Sequence, residues 1–331
     1  MNNYNIMPRV SVIMSVYNTP EGYLREAIES VINQSFVDFE FVIVDDNSNE
    51  ETKMILRDYT TDSRIIILEN ERNQGLTRNL NKALSISKGE LVARMDADDI
   101  CDLSRFQKQV DFLDNNPAIA MVGTFYTLFD THRRIKHKNE GVAPAEVKTS
   151  LFFSNSSIMH SSVMMRHSVF NTEDGFCYDE NYTKSQDFEL WTRASHFVEL
   201  SIIPEYLMYY RLSDKQVSRV SSSEQISLKK KVLLRQLSFL KDDNDEDSRN
   251  LHCSFCIGDK VSSVRSVVKW ADILIQSNNN KGLYPSCIFN YFVTRRAIKS
   301  SVKSIHSLID LIHVFCYFFL YLRNRIRYAL R

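Results

Sequence analysis

The chain has 331 residues, 44% apolar and 25% charged, enough to bury one large core and carry an appendage. Its 41 basic and 41 acidic side chains cancel, so the global positive field used by nucleic-acid binders is missing and no nucleic-acid partner is expected. Six scattered cysteines lack the spacing of a small disulfide-stapled domain, which points to a reducing compartment.

Residues 1–9 are polar, so no secretory signal is expected. Arg9–Val16 is a β-branched run that reads as a buried strand. A helix follows, because Leu24, Ala27, Ile28, Val31 and Ile32 recur at helical spacing. Strands are expected over Phe39–Val44, Arg64–Leu68 and Leu91–Met95, separated by helices over 50–59 and from Gly75 to Gly89. This alternation predicts right-handed βαβ units and a largely parallel sheet. Ligands of such sheets gather at the carboxyl ends of the strands, where Asp45-Asp46 and Asp96–Asp99 fall. No G-x-G-x-x-G loop follows the first strand and no Walker A sequence occurs, so side chains and metal must hold the ligand.

Beyond the acidic cluster, Asp102–Asn115 reads as a helix with Leu103, Phe106, Val110 and Leu113 as its core stripe. Ile119–Val122 reads as a strand, 125–140 as a hairpin or loop, and the apolar run within Ser154–Arg166 as another strand. A helix carrying Phe188, Leu190, Trp191 and Ala194 precedes a last strand, Glu199–Ile203, and a polar closing loop from Tyr209 to Arg219. The character changes near Ser222. Leu228–Leu240 is helical, five acids within 242–247 read as a solvated linker, and three helical stretches follow. Cys253 and Cys256 form a lone CxxC, and a structural zinc site needs four ligands. No segment reaches about 18 uninterrupted apolar residues. Between Arg295 and Arg331, eight Lys or Arg residues face one acid, Asp310. The apolar stretch Ser307–Leu322 with its trailing arginines is expected to lie on an anionic membrane surface, a buried appendage helix or oligomer contact being the alternative.

Three carboxylates within four residues, at the end of a buried strand, are costly unless solvated or paired with a cation. A hard divalent ion, Mn²⁺ or Mg²⁺, bridging them to a phosphate would make the placement useful. An acidic turn capping the next helix is the other reading.

Four stretches then occur in order: Arg9–Asn18, Phe41–Ser48, Met95–Asp99 and Ser185–Trp191. Together they resemble the family 2 glycosyltransferases of GT-A fold, over about Pro8 to Ser218. The resemblance implies an α/β fold, Rossmann-like, with a mostly parallel central sheet flanked by helices in a domain spanning 1–220. A helical C-terminal region, 221–331, lies outside it. It also implies inverting transfer of a hexose, galactose foremost, from a UDP-sugar to a hydroxyl of a lipid-diphosphate-linked saccharide. GlcNAc-diphosphoundecaprenol in O-antigen or surface-polysaccharide synthesis would be such an acceptor, met at the cytoplasmic face of the inner membrane. UDP-Glc and UDP-GlcNAc are the alternative donors. A non-catalytic GT-A-like membrane assembly subunit is the rival class, against which the presence of both Asp98 and Asp187 argues.

Residue by residue, Asp98 matches the metal-binding second carboxylate of the family's Asp-Ala-Asp motif, and Asp96 the group holding the ribose or the metal shell. The ion, Mn²⁺ or Mg²⁺, would act as a Lewis acid on the leaving diphosphate. Asp99 is either a sugar contact or the cap of the helix from Asp102. Asp46 matches the carboxylate that reads the uracil imide edge, with Ser15 and Tyr17 flanking the base, while Asp45 is read as structural. Arg78 stands where relatives approach the diphosphate, or is a solvated helix residue. Asp187 matches the catalytic base, with a helix cap as its alternative. Tyr210-Arg211-Leu212-Ser213 departs from the family's Tyr-Arg-x-His, which leaves the ion fewer protein ligands. His160 is a candidate substitute.

Overall fold

The computed structural model describes residues 7–139, 141–154, 158–171, 173, 175–212, 223–243, 245–259, 263–302 and 308–329, with backbone only for 308–313. The chain divides into two compact units, Met1–Ala143 with Ile158–Ser222, and Pro144–Ser157 with Ser223–Arg331.

The first unit carries, in chain order, β1 (Val10–Val16), α1 (Glu21–Ile32), β2 (Phe39–Asp45), α2 (Glu50–Asp58), β3 (Ile65–Glu69), α3 (Leu76–Ile86) and β4 (Leu91–Asp96). The four strands pair in parallel in the order β3-β2-β1-β4. Both faces of β1 and β2 are covered, which is why their sequences are continuous apolar runs rather than alternating ones. The stripe Leu24, Ala27, Ile28 and Val31 of α1 is fully buried in the same core.

The second half of this unit adds β5 (Ile100–Cys101), α4 (Arg105–Asn115), β6 (Ile119–Phe129), β7 (Arg134–His137), then β8 (Met164–Arg166), α6 (Gln186–Ala194) and β9 (Glu199–Arg211); α5 (Pro144–Leu151) belongs to the other unit. β8 joins β4 and β6 antiparallel, β9 runs parallel to β6, and β5 and β7 add antiparallel at β9 and β6. The sheet is therefore mixed. Its core β3-β2-β1-β4 is parallel as expected, as is β6 with β9, and the shorter antiparallel pairings come in where β5, β7 and β8 join.

Other expectations change for local reasons. The helix read from Asp102 starts at Arg105, since Asp102 Oδ1 accepts from Ser104 N and Oγ and holds a turn there. Leu103 consequently lies outside the core stripe and is 59% exposed. The strand read over Glu199–Ile203 runs on to Arg211, because its second half finds partners in β5 and β6; Tyr209–Arg211 is strand, not loop. The 158–166 run is a 3-10 turn, His160–Ser162, followed by only three residues of strand.

The second unit holds α5, α7 (Ser223–Leu240), α8 (Glu246–Ile257), α9 (Val264–Lys281), α10 (Ser286–Val302) and α11 (Leu308–Ala329). Segment 144–157, read from sequence as part of the first domain, groups here because Phe152 packs edge-on against Tyr284 and Phe289 and tilted against His252. The end of the acidic stretch 242–247 is helix rather than linker: Glu246 and Asp247 open α8, and Asp245 caps it by accepting from Ser248 N at 2.7 Å. Cys253 and Cys256 are buried thiols of α8, and among the described residues no three metal-ligating groups gather there. No helix of the described residues is long and apolar enough to cross a membrane. α11 is pinned on one side by the buried Tyr317, which donates to Asp272, and by Tyr328 stacked on Tyr291 at 4.7 Å. Its other side exposes Phe315, Phe318, Phe319 and Ile326.

Candidate active site

The carboxyl ends of β1, β2 and β3 are tied together by amide and carboxylate side chains. Asp46, just past β2 and 2% exposed, accepts from Gln74 N (2.7 Å), Gly75 N (2.9 Å) and Asn70 Nδ2 (2.9 Å). Gly75 stands at φ +86°, a left-handed setting that suits glycine and turns its N–H toward the carboxylate. Asn70 Nδ2 also donates to Asn79 Oδ1, Asn79 Nδ2 donates to Ser15 Oγ at 2.9 Å, and Lys82 Nζ donates to Asn70 Oδ1. Ser15 and Asp46 are thus parts of one hydrogen-bonded floor. A carboxylate has about four acceptor positions, so three donors leave Asp46 room for one more. Tyr17 follows β1 and is 53% exposed. Asp45 is fully buried, with Oδ1 accepting from Ser48 N.

α3 lashes the 178–182 segment to this floor. Asn81 exchanges two hydrogen bonds with the backbone of Tyr178, and Thr77 Oγ1 donates to Tyr182 O. Arg78 forms an exposed ion pair with Glu180 at 3.0 Å, a partner the sequence reading did not identify.

At the end of β4, ligand atoms of Asp96, Asp98 and Asp99 lie within 4.8 Å of one another. The three carboxylates are in different environments. Arg94, 2% exposed, forks both oxygens of Asp96. Burial opposes the charge of this guanidinium, yet Asp96, Tyr178 and Asp99 together hold its pKa above the ordinary value. Asp99 is fully buried and accepts from Ser161 Oγ (2.6 Å) and Arg211 N (3.0 Å). Burial first, then the charges of Asp96 and Asp98, push its carboxyl well above the usual range. The cap reading of Asp99 gives way, since Ser104, not Asp99, precedes α4. Asp98 is part-buried, and its carbonyl accepts from Arg211 Nε at 2.8 Å.

Asp187 is the second residue of α6. Ser185, at φ +58°, is the residue before the helix, so Asp187 is not the cap that one reading made it. Four residues on, Trp191 lies on the same helix face and packs on Tyr178, His160 and Phe170. His160 Nε2 is 2.8 Å from the Tyr178 hydroxyl, and burial, then Arg94, hold its pKa well below the ordinary value. Among the described residues it is not grouped with the carboxylates of the acidic turn, and Ser213, where the family has a histidine, lies outside the described residues. The Tyr178 phenol is raised by burial; Arg94 opposes, while Asp187 and Asp96 add to the rise. Ser161 and Tyr178 were missed in the sequence, and Arg94 and Arg211 were given no role there, although an arginine inside the apolar run of β4 was a visible signal.

The donor set at β4 is oxygen only, which fits a hard divalent ion such as Mn²⁺ or Mg²⁺ and disfavours a thiolate-seeking metal.

The model of the family "Glycosyl transferase family 2" matches residues 11–173. An uncharacterized glycosyltransferase of Methanocaldococcus jannaschii is 36% identical over 224 residues, covering 66% of this chain and 76% of the relative. The chain belongs to glycosyl transferase family 2, as its four ordered motifs imply. The O-antigen biosynthesis glycosyltransferase WbnJ of Escherichia coli is 29% identical over 71% of this chain and 95% of its own. WfgD of Escherichia coli, a UDP-Glc:alpha-D-GlcNAc-diphosphoundecaprenol beta-1,3-glucosyltransferase, is 27% identical over 70% of this chain and 85% of its own. Among solved structures, Staphylococcus aureus TarS 1–349 in complex with UDP-GlcNAc superposes with a TM-score of 0.59 at 17% identity, over 89% of this chain and 90% of that one. The fold is that of the GT-A enzymes, and the chain is a glycosyltransferase related to those of O-antigen and polysaccharide biosynthesis.

Proposed function

We propose that this glycosyltransferase moves a hexose from a UDP-sugar to a hydroxyl of a lipid-diphosphate-linked saccharide, with inversion at the anomeric carbon. The observation that carries this reading is the oxygen-only cluster of Asp96, Asp98 and Asp99 at the end of β4, in a chain that also presents Asp187 in the first turn of α6. Asp98 and Asp96 hold a divalent ion, Mn²⁺ or Mg²⁺, which when bound neutralises charge growing on the leaving diphosphate. Arg94 aims Asp96. Asp46 takes the uracil N–H at its remaining acceptor position, Ser15 and Tyr17 flank the base, and Arg78 exchanges Glu180 for a phosphate. Asp187 accepts the acceptor hydroxyl's proton as that oxygen attacks. The name of WfgD brings glucose alongside galactose as donor sugar and supports GlcNAc-diphosphoundecaprenol as the acceptor class.

The enzyme works peripherally at the cytoplasmic face of the inner membrane. The exposed stripe Phe315, Phe318, Phe319 and Ile326 of α11, with Arg323, Arg325 and Arg327 also exposed, suits insertion among anionic headgroups.

The test is a screen of UDP-Gal, UDP-Glc and UDP-GlcNAc with a synthetic GlcNAc-diphospho-lipid and Mn²⁺, reading anomeric configuration by NMR. One donor should give an inverted product. UDP-sugar binding with no turnover on any acceptor would favour the non-catalytic assembly subunit. Asp187→Asn should cut turnover about 10³-fold while UDP affinity holds; normal turnover in that variant removes Asp187 from the mechanism.

A further inference from the structure

Arg211 has no place in the transfer reaction so far, yet it makes two hydrogen bonds to the acidic turn and a third bond beyond it. Its backbone N–H donates to Asp99 Oδ1 at 3.0 Å, its Nε donates to the carbonyl of Asp98 at 2.8 Å, and its Nη2 pairs with Glu26 of α1. The guanidinium lies between two rings, 4.2 Å from the centroid of Tyr23 and 4.6 Å from that of Phe129. The residue is 9% exposed. Immediately beyond the turn, β5 pairs with β9, Ile100 opposite Tyr209 and Cys101 opposite Met208. The acidic turn is therefore zipped onto β9, with Arg211 as the clasp at its end.

Three carboxylates within 4.8 Å repel one another, and a turn left to itself would relax by splaying them apart. Arg94 restrains Asp96 from β4, its own strand. Arg211 restrains Asp98 and Asp99 from the opposite side, across 113 and 112 residues of sequence. Glu26 and the two rings fix the direction of the guanidinium, so that a planar fork rather than a mobile charge meets the Asp98 carbonyl.

We propose that Arg211, oriented by Glu26, is a positioning residue for the ion-binding turn: it holds the backbone of Asp98 so that the carboxylate is aimed before a divalent ion arrives. The inference rests on Asp98 being an ion ligand. Groups that orient metal ligands without touching the metal typically change affinity about ten- to a hundredfold when altered.

The test measures Mn²⁺ affinity of the full chain by electron paramagnetic resonance of free Mn²⁺, alongside the metal-free melting temperature. Arg211→Lys keeps the charge but loses the fork, and should weaken Mn²⁺ binding about tenfold or more. Glu26→Gln removes a half-exposed partner from the surface of α1, and should weaken it at the lower end of that range with the melting temperature unchanged. A merely structural role would lower the melting temperature and leave Mn²⁺ affinity alone. Parent-like affinity in both variants overturns the proposal. Asp98→Ala serves as the control that separates the two ideas. Parent-like Mn²⁺ binding in that variant, or none in the parent, would bring down the ligand reading and this inference with it. Loss in Asp98→Ala beside unchanged Arg211→Lys and Glu26→Gln would bring down this inference alone.

Discussion

The two units fill their interiors with different chemistry. In the first, charged side chains are buried around the site: Arg94, Asp99 and Arg105 are each 2% exposed or less. Arg105 donates to the carbonyls of Arg94 and Val163 at 2.9 and 3.0 Å, and burial brings its pKa down to about 10. In the second, aromatic rings fill the centre, with Tyr284 stacked on Phe289 at 5.0 Å and Phe152 and Phe153 beside them. Buried ions need partners from several elements to offset their desolvation, so they hold geometry at a cost in stability. Packed rings contribute stability and place no reactive group. Substitutions among the buried ions of the first unit should thus separate activity from stability, and those among the buried rings of the second should not.

The sharpest break of this contrast is Asp98→Ala. It should lower Mn²⁺-dependent donor binding at least about a hundredfold, while thermal stability holds or rises as carboxylate repulsion is relieved. Unchanged metal dependence, read by titrating Mn²⁺ against UDP-sugar binding, removes Asp98 as a ligand. The mirror image is Phe152→Ala, which empties the ring cluster and should cost about 3–5 kcal/mol in urea unfolding of the second unit. A loss below about 1 kcal/mol would mean that the rings do not organise that core.

A smaller effect comes from His252, fully buried, whose pKa burial and Arg296 depress to about 3. The native state keeps the imidazole neutral, whereas the unfolded chain takes up a proton below about 6.5. Stability is then complete above pH 6.5 and is lost as pH falls from there toward 3. By pH 5 the loss is about 2 kcal/mol. The chain's two tryptophans fall one in each unit, Trp191 and Trp270, so a Trp191→Phe background lets Trp270 report the second unit alone. His252→Phe in that background should flatten the pH dependence between 6.5 and 5, and an unaltered slope would exclude His252 as its source. The mildest change is Phe315→Ser with Phe318→Ser and Phe319→Ser, which should release the protein from anionic vesicles in a flotation assay without shifting the melting temperature. Equal flotation would end the surface role of α11.

Much of the first unit was readable in the order of its residues. The apolar runs of β1, β2 and β4 and the stripe of α1 are local patterns, and a period of two or of 3.6 needs no distant partner to be recognised. The acidic cluster at the end of β4 was visible as carboxylates closing an apolar run, whereas Asp46 and Asp187 were picked out by the resemblance to the family's motifs. The reach of β9 to Arg211 was not readable, since a polar strand end is strand only where β5 and β6 complete its hydrogen bonds. Segment 144–157 was misassigned for a similar reason: Phe152 belongs with rings that lie some 100 to 137 residues away.

By itself, then, the amino-acid order determined a family 2 glycosyltransferase with parallel βαβ units and carboxylates at their ends, because hydrophobic period and motif are properties of neighbouring residues. Only the tertiary structure decided how the carboxylates differ. Asp99 turned inward to Ser161 and Arg211, and Asp96 met Arg94. Burial and charge pairing are set by what lies across space, and for the acidic turn the partners come from a turn about 60 and a strand about 110 residues further along the chain.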